Sequence, residues 1–113
     1  MKPRASLILA GSLLVGMNCF NPVYAVDEEA AQALAKKNDC FKCHAVDKTK
    51  KGPSYKKIAA KYKEKKLTEA DAIKQMTEGK KVKLEDGSEE DHKIIETKDQ
   101  AQMKNLAQWI LSR

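Results

Sequence analysis

Within five residues the chain places two thiols and an imidazole, Cys40-Phe41-Lys42-Cys43-His44. No other feature constrains the fold as strongly. Two cysteines at this spacing can each add across a vinyl group on one edge of a porphyrin. The next residue then reaches over the ring with its imidazole. Histidine is a usual proximal ligand for haem iron, and its other ring nitrogen is left for an orienting hydrogen bond. A redox dithiol would need a βαβ setting, and no such pattern surrounds the motif. A structural zinc site would need four ligands, and no second cysteine pair follows. The motif therefore predicts one covalent haem c, with Cys40 and Cys43 as anchors and His44 on the iron.

The N-terminus reads as an export signal. Lys2 and Arg4 precede an apolar stretch over 7–15, and Val23-Tyr24-Ala25 offers a small-residue cleavage pattern. The apolar run is too short for a membrane span. Cys19 would be the acylated residue of a lipoprotein, but Asn18 before it is larger than such sites accept. Cleavage after Ala25 leaves a mature domain over 26–113 and removes Cys19. The two cysteines that remain are those of the motif, which suits an oxidising compartment. The expected location is the periplasm, as a soluble protein.

A mature chain of this size has a limited hydrophobic core and needs a staple. Aromatic residues make only 5% of the chain and charged residues 34%. A covalently held haem would supply the missing apolar surface. Removing Lys2 and Arg4 from a net charge of +6 leaves +4. Lys48, Lys50, Lys51, Lys56, Lys57, Lys61, Lys63, Lys65 and Lys66 crowd one segment, whereas Glu85, Asp86, Glu89, Glu90 and Asp91 form an acidic stretch. This dipolar surface would steer a partner with acidic docking groups. Nucleic acid is excluded by export and by the absence of an aromatic-interleaved basic motif.

Helices are predicted over 27–37, 55–62, 69–78 and from Thr97 to the C-terminus. Acids lead the first and lysines end it. Ser54 is placed to cap the second. Thr68 with Asp71 resembles a capping box opening the third, which stops at Gly79. Thr97 with Gln100 is the capping box expected for the last, where Met103, Leu106, Ala107, Ile110 and Leu111 recur at helical spacing. Residues 80–96 carry no helical period, and Asp86-Gly87 marks a turn without strong strands beside it.

These residues together resemble the short bacterial class I c-type cytochromes, and the similarity runs through the whole mature chain. The motif opens that chain, Gly52-Pro53 follows nine residues after His44, and Leu106-Ala107-Gln108-Trp109-Ile110-Leu111 is similar to the family's C-terminal helix. The resemblance implies an all-α fold, a bundle of about four short helices around one haem. It also implies that the Pro53 carbonyl accepts a hydrogen bond from His44. The family's usual second axial ligand is a methionine, often followed by proline, in the loop before the last helix. This chain has no Met-Pro there. His92, its other histidine, falls close to that position counting back from Trp109, and is the candidate distal ligand. Met76 and Met103 are the sulfur alternatives. Lys80, Lys81 or Lys93 would ligate only when deprotonated, and an open sixth position is a further alternative.

The function so implied is single-electron transfer between redox partner proteins, without an enzymatic reaction. The competing reading is a haem protein whose open or labile sixth site binds small gases or peroxide. A haem-free dithiol oxidoreductase is the third.

Overall fold

The computed structural model describes residues 25–113, together with Gly11 and Gly16. The expected signal peptide, 1–25, thus lies outside the described residues apart from Gly11, Gly16 and Ala25.

Asp27 accepts a hydrogen bond from the Ala30 amide at 3.0 Å and so starts helix α1, Glu28–Lys37. Glu28 and Glu29 stand in its first turn and Lys36 and Lys37 in its last, as the helix dipole favours. Its inner face is Ala31, Leu34 and Ala35. Ala30 is exposed. Asn38 ends the helix by donating to the Leu34 carbonyl at 2.9 Å. Asp39 then takes a left-handed conformation, φ 58°. That reversal feeds the chain into a single 3-10 turn, Cys40–Lys42, which carries the cysteine motif.

Helix α2, Tyr55–Glu64, begins where Ser54 Oγ accepts from the Lys57 amide at 3.1 Å. It ends with Lys66 left-handed, φ 54°, and the Leu67 amide on the Tyr62 carbonyl at 2.9 Å. Helix α3, Glu69–Thr77, opens on a true capping box. The Asp71 amide donates to Thr68 Oγ1 at 3.4 Å, and the Thr68 amide to Asp71 Oδ2 at 2.7 Å. The shorter carboxylate therefore serves as well as Glu would. Gly79 follows with φ 62°, and a Cβ there would meet the Ile94 side chain at 3.0 Å.

Two short strands add to the predicted helices: β1, Lys81–Lys83, and β2, Glu89–Asp91. They pair antiparallel, Lys81 opposite Asp91 and Lys83 opposite Glu89. Opposite charges across the ribbon supply what the missing apolar alternation does not. The turn is closed by Gly87, φ 87°, and by Asp86 Oδ1 accepting from the Ser88 amide at 2.9 Å. The helical expectation holds for the core, with this ribbon on its outside.

Helix α4, Gln100–Leu111, is capped by Asp99 rather than Thr97. Asp99 Oδ1 accepts from the Ala101 and Gln102 amides at 3.0 and 3.3 Å, while Thr97 Oγ1 takes the Asp99 amide at 3.1 Å. The expected Thr97–Gln100 capping box gives way because a carboxylate stands nearer the positive helix end. α4 packs against α1, α2 and α3. Trp109, Met103 and Leu106 are its largest fully buried side chains, and burying a side chain of the size of Met or Leu stabilises by about 1.5–3 kcal/mol. The α1–α4 contact is pinned by polar bonds. Asn105 exchanges two 2.8 Å hydrogen bonds with the Asp27 backbone, and Trp109 Nε1 donates to Glu28 Oε1 at 3.2 Å.

Candidate functional site

The 3-10 turn holds Cys40, Cys43 and His44 as one local unit, with the His44 amide on the Cys40 carbonyl at 3.0 Å. Cys40 and Cys43 are half-buried and not joined to each other. The loop after His44 folds back on the motif through the Gly52 amide, which donates to the Cys43 carbonyl at 2.8 Å. His44 Nδ1–H then donates to the Pro53 carbonyl at 2.6 Å. This bond selects one tautomer and leaves Nε2 as the free nitrogen. Burial holds the His44 imidazole below its ordinary pKa, against the opposing pull of the Pro53 carbonyl. The neutral ring is the form that binds a metal. Burial also pushes the Cys40 thiol up.

Gly52, which the sequence offers only as part of the Gly52-Pro53 pair, and Tyr55, which it offers only as a helix start, shape this side by packing. A Cβ on Gly52 would lie 3.0 Å from His44 Cε1 and 3.3 Å from Nδ1, so only glycine lets the loop approach the ring. Tyr55, buried at the start of α2, stacks on His44 with centroids 5.4 Å apart and planes 23° apart. Its ring also meets Trp109 and Phe41 edge-on, at 5.5 and 6.0 Å. A tyrosine beginning a helix carries no local signal of these contacts.

His92 follows β2 directly, and its amide donates to the Lys80 carbonyl at 2.8 Å. Its Nδ1–H faces the Lys93 carbonyl at 2.9 Å, so its free nitrogen is again Nε2. The structure brings this half-buried ring to His44, with centroids 6.2 Å apart and planes at 45°. Two imidazoles that each place a nitrogen about 2 Å from one metal, in line, have centres about 6 Å apart. Among the described residues no group of three or more His, Cys, Asp or Glu side chains could hold a bare metal ion. Two imidazoles at this separation, beside a C-x-x-C pair, fit an iron whose remaining ligands belong to a porphyrin.

The alternatives to His92 sit otherwise. Met76 and Met103 are buried members of the hydrophobic core. Lys80 pairs with Glu78 at 2.9 Å and Lys93 with Asp39 at 2.7 Å. Lys81 is exposed on the ribbon, opposite Asp91.

The chain is similar to known proteins in sequence and fold. The family model described as Cytochrome c covers residues 28–113. Cytochrome c-551 of Pseudomonas aeruginosa is 32% identical over 120 residues, spanning 100% of this chain and 99% of its own. Among solved structures, class 1 cytochrome MtoD of Sideroxydans lithotrophicus ES-1 is 55% identical with a TM-score of 0.73, over 78% of this chain and 97% of its own. Cytochrome c552 of Nitrosomonas europaea is 33% identical with a TM-score of 0.56, over 72% and 96%. The chain belongs to the cytochrome c family: it is a small class I c-type cytochrome, an electron carrier built around one covalently attached haem c.

Proposed function

We propose that the mature protein, 26–113, is a soluble periplasmic carrier that moves one electron at a time between redox partner proteins, with His44 and His92 as its two axial ligands. The observation that carries the reading is the pair of rings 6.2 Å apart, each with Nδ1 on a backbone carbonyl. Haem iron supplies the site that takes up and releases the electron. Cys40 and Cys43 bond its edge covalently. Pro53 fixes the His44 tautomer and Gly52 gives the ring its room. The Lys93 carbonyl does for His92 what Pro53 does for His44. His44 and His92 would together hold the iron with side chains of this chain, which would keep small molecules out and favour electron transfer.

An export signal over 1–25 supports the location. Among the described residues no helix is long and apolar enough to cross a membrane. The lysines between Lys48 and Lys66 favour partners with acidic docking surfaces.

Absorption spectroscopy of the oxidised and reduced protein tests the ligand assignment. The expected spectrum is low-spin, without the weak long-wavelength band of sulfur-to-iron ligation. His92→Ala should open the iron to carbon monoxide, and His92→Met should raise the reduction potential, because a thioether favours the reduced iron. A sulfur band in the native protein would remove His92 and point to Met76. Immediate carbon monoxide uptake by the reduced native protein would favour the gas-binding alternative.

A further inference from the structure

The segment that carries His92 is anchored at its far end by Ile95, which is buried in the core, and by few hydrogen bonds elsewhere. Its backbone holds the Lys80 carbonyl through the His92 amide, at 2.8 Å, and the Met76 carbonyl through the Ile95 amide, at 2.9 Å. Both ties run back to the end of α3 and the chain just after it. Neither reaches the cysteine motif on the His44 side. The side-chain bond that does so, among the described residues, is Lys93 Nζ to Asp39 Oδ2 at 2.7 Å. It links residues 54 apart in sequence, one next to His92 and the other next to Cys40.

Asp39 is unusual in its own right. It adopts φ 58°, a conformation in which glycine would be unstrained. Aspartate can visit this conformation because its short polar side chain bonds locally. It faces two cations, Lys93 and, at 3.3 Å, Lys42. Lys42 lies on the same turn as Asp39 and can only brace it locally. Lys93 reaches across from the other side of the site.

We propose that the Lys93–Asp39 ion pair is a latch that holds the His92 segment against the cysteine turn and thereby sets how readily the sixth ligand leaves the iron. Lys93 and Asp39 are positioning residues, since they act through His92. This rests on His92 being that ligand. The pair is partly exposed, so its strength is modest and open to salt.

The test measures the rate at which the reduced holoprotein takes up carbon monoxide at saturating gas, where release of the sixth ligand limits the rate. Lys93→Met and Asp39→Asn should each speed release about one-and-a-half- to fivefold, the range of an exposed ion pair. Asparagine tolerates the left-handed conformation, so the second variant removes charge without adding strain. Lys63→Gln, at an exposed lysine of α2 outside both the motif and the latch, should leave the rate unchanged. The exchanged double variant, Asp39→Lys with Lys93→Asp, should return the rate toward the native value. High salt should speed release in the native protein and do little in Lys93→Met. Melting temperatures of the variants should stay close together, because the effect is on the segment and not on the core. Native release rates in both single variants, or a double variant no slower than the singles, would overturn the latch. His92→Ala is run alongside. If it stays closed to carbon monoxide, the ligand assignment fails and the latch with it; if it opens while the single variants keep native rates, the latch alone fails.

Discussion

At the scale of single residues, the His44 ring is held by three neighbours of different kinds: a carbonyl, a missing side chain and an aromatic face. The Pro53 bond at 2.6 Å needs the loop close to the ring, and Gly52 is what allows it. Gly52→Ala would set its Cβ 3.0 Å from His44 Cε1 and 3.3 Å from the Cys43 carbonyl, which cannot yield. The expected cost is about 1–3 kcal/mol, read as a lower melting temperature of the holoprotein together with a changed paramagnetic signature of the proximal imidazole. An unchanged melting curve would show that the loop moves aside freely. Tyr55→Leu should cost more than Tyr55→Phe, since only leucine loses the faces against His44 and Trp109. Cys40, Cys43 and His44, the residues proposed to bond the cofactor, are legible from spacing alone, because that chemistry demands it. Gly52 and Tyr55 owe their roles to packing. Tyr55 meets His44 and Trp109 only after the chain has folded, and no local pattern announces that.

At the scale of elements, capping chemistry decides most boundaries. Ser54 and the Thr68–Asp71 pair could be read in advance, because each has its partner three residues on. Thr97 misled because two acceptors compete for one helix start, and the charged one wins. The ribbon was hard to foresee for a different reason. Its strands are three residues long and almost wholly exposed, so burial leaves no alternating pattern in them. What holds them is the antiparallel backbone pairing and the Asp86–Ser88 turn, with opposite charges facing across the strands. The end of α2 carries a prediction of its own. Lys66 is left-handed and exposed, where a Cβ costs roughly 1–2 kcal/mol. Lys66→Gly removes that strain but loosens the unfolded chain by about 0.5–1 kcal/mol. The balance should raise the melting temperature by a few degrees. A melting temperature that falls would mean that Lys66 is not strained in solution.

At the scale of the whole molecule, the small core and the uneven charge set the behaviour. The chain is 34% charged and 5% aromatic, so the haem must contribute much of the apolar interior. Cys40→Ala or Cys43→Ala should therefore leave little folded protein in the cells that express it. Recovery of a stable haem-free monomer in normal yield would contradict this. The same polarity governs encounter with partners. Lys56, Lys57, Lys61 and Lys63 are exposed on α2, with Lys48, Lys50 and Lys51 exposed in the loop before it. The acids of the ribbon and its turn, Glu85, Asp86, Glu89, Glu90 and Asp91, are exposed as well. Charges so placed gain little from any one pair, but together they orient the molecule in an acidic partner's field. Because they are in water, salt screens them over about 10 Å at 0.1 M. Electron transfer to an acidic partner protein should thus slow steadily as ionic strength rises. Lys61→Glu should lower the rate at low salt and converge with the native protein at high salt, since its effect is only on approach. A rate that stays flat across the salt range would remove steering, and the lysines would then serve solubility alone.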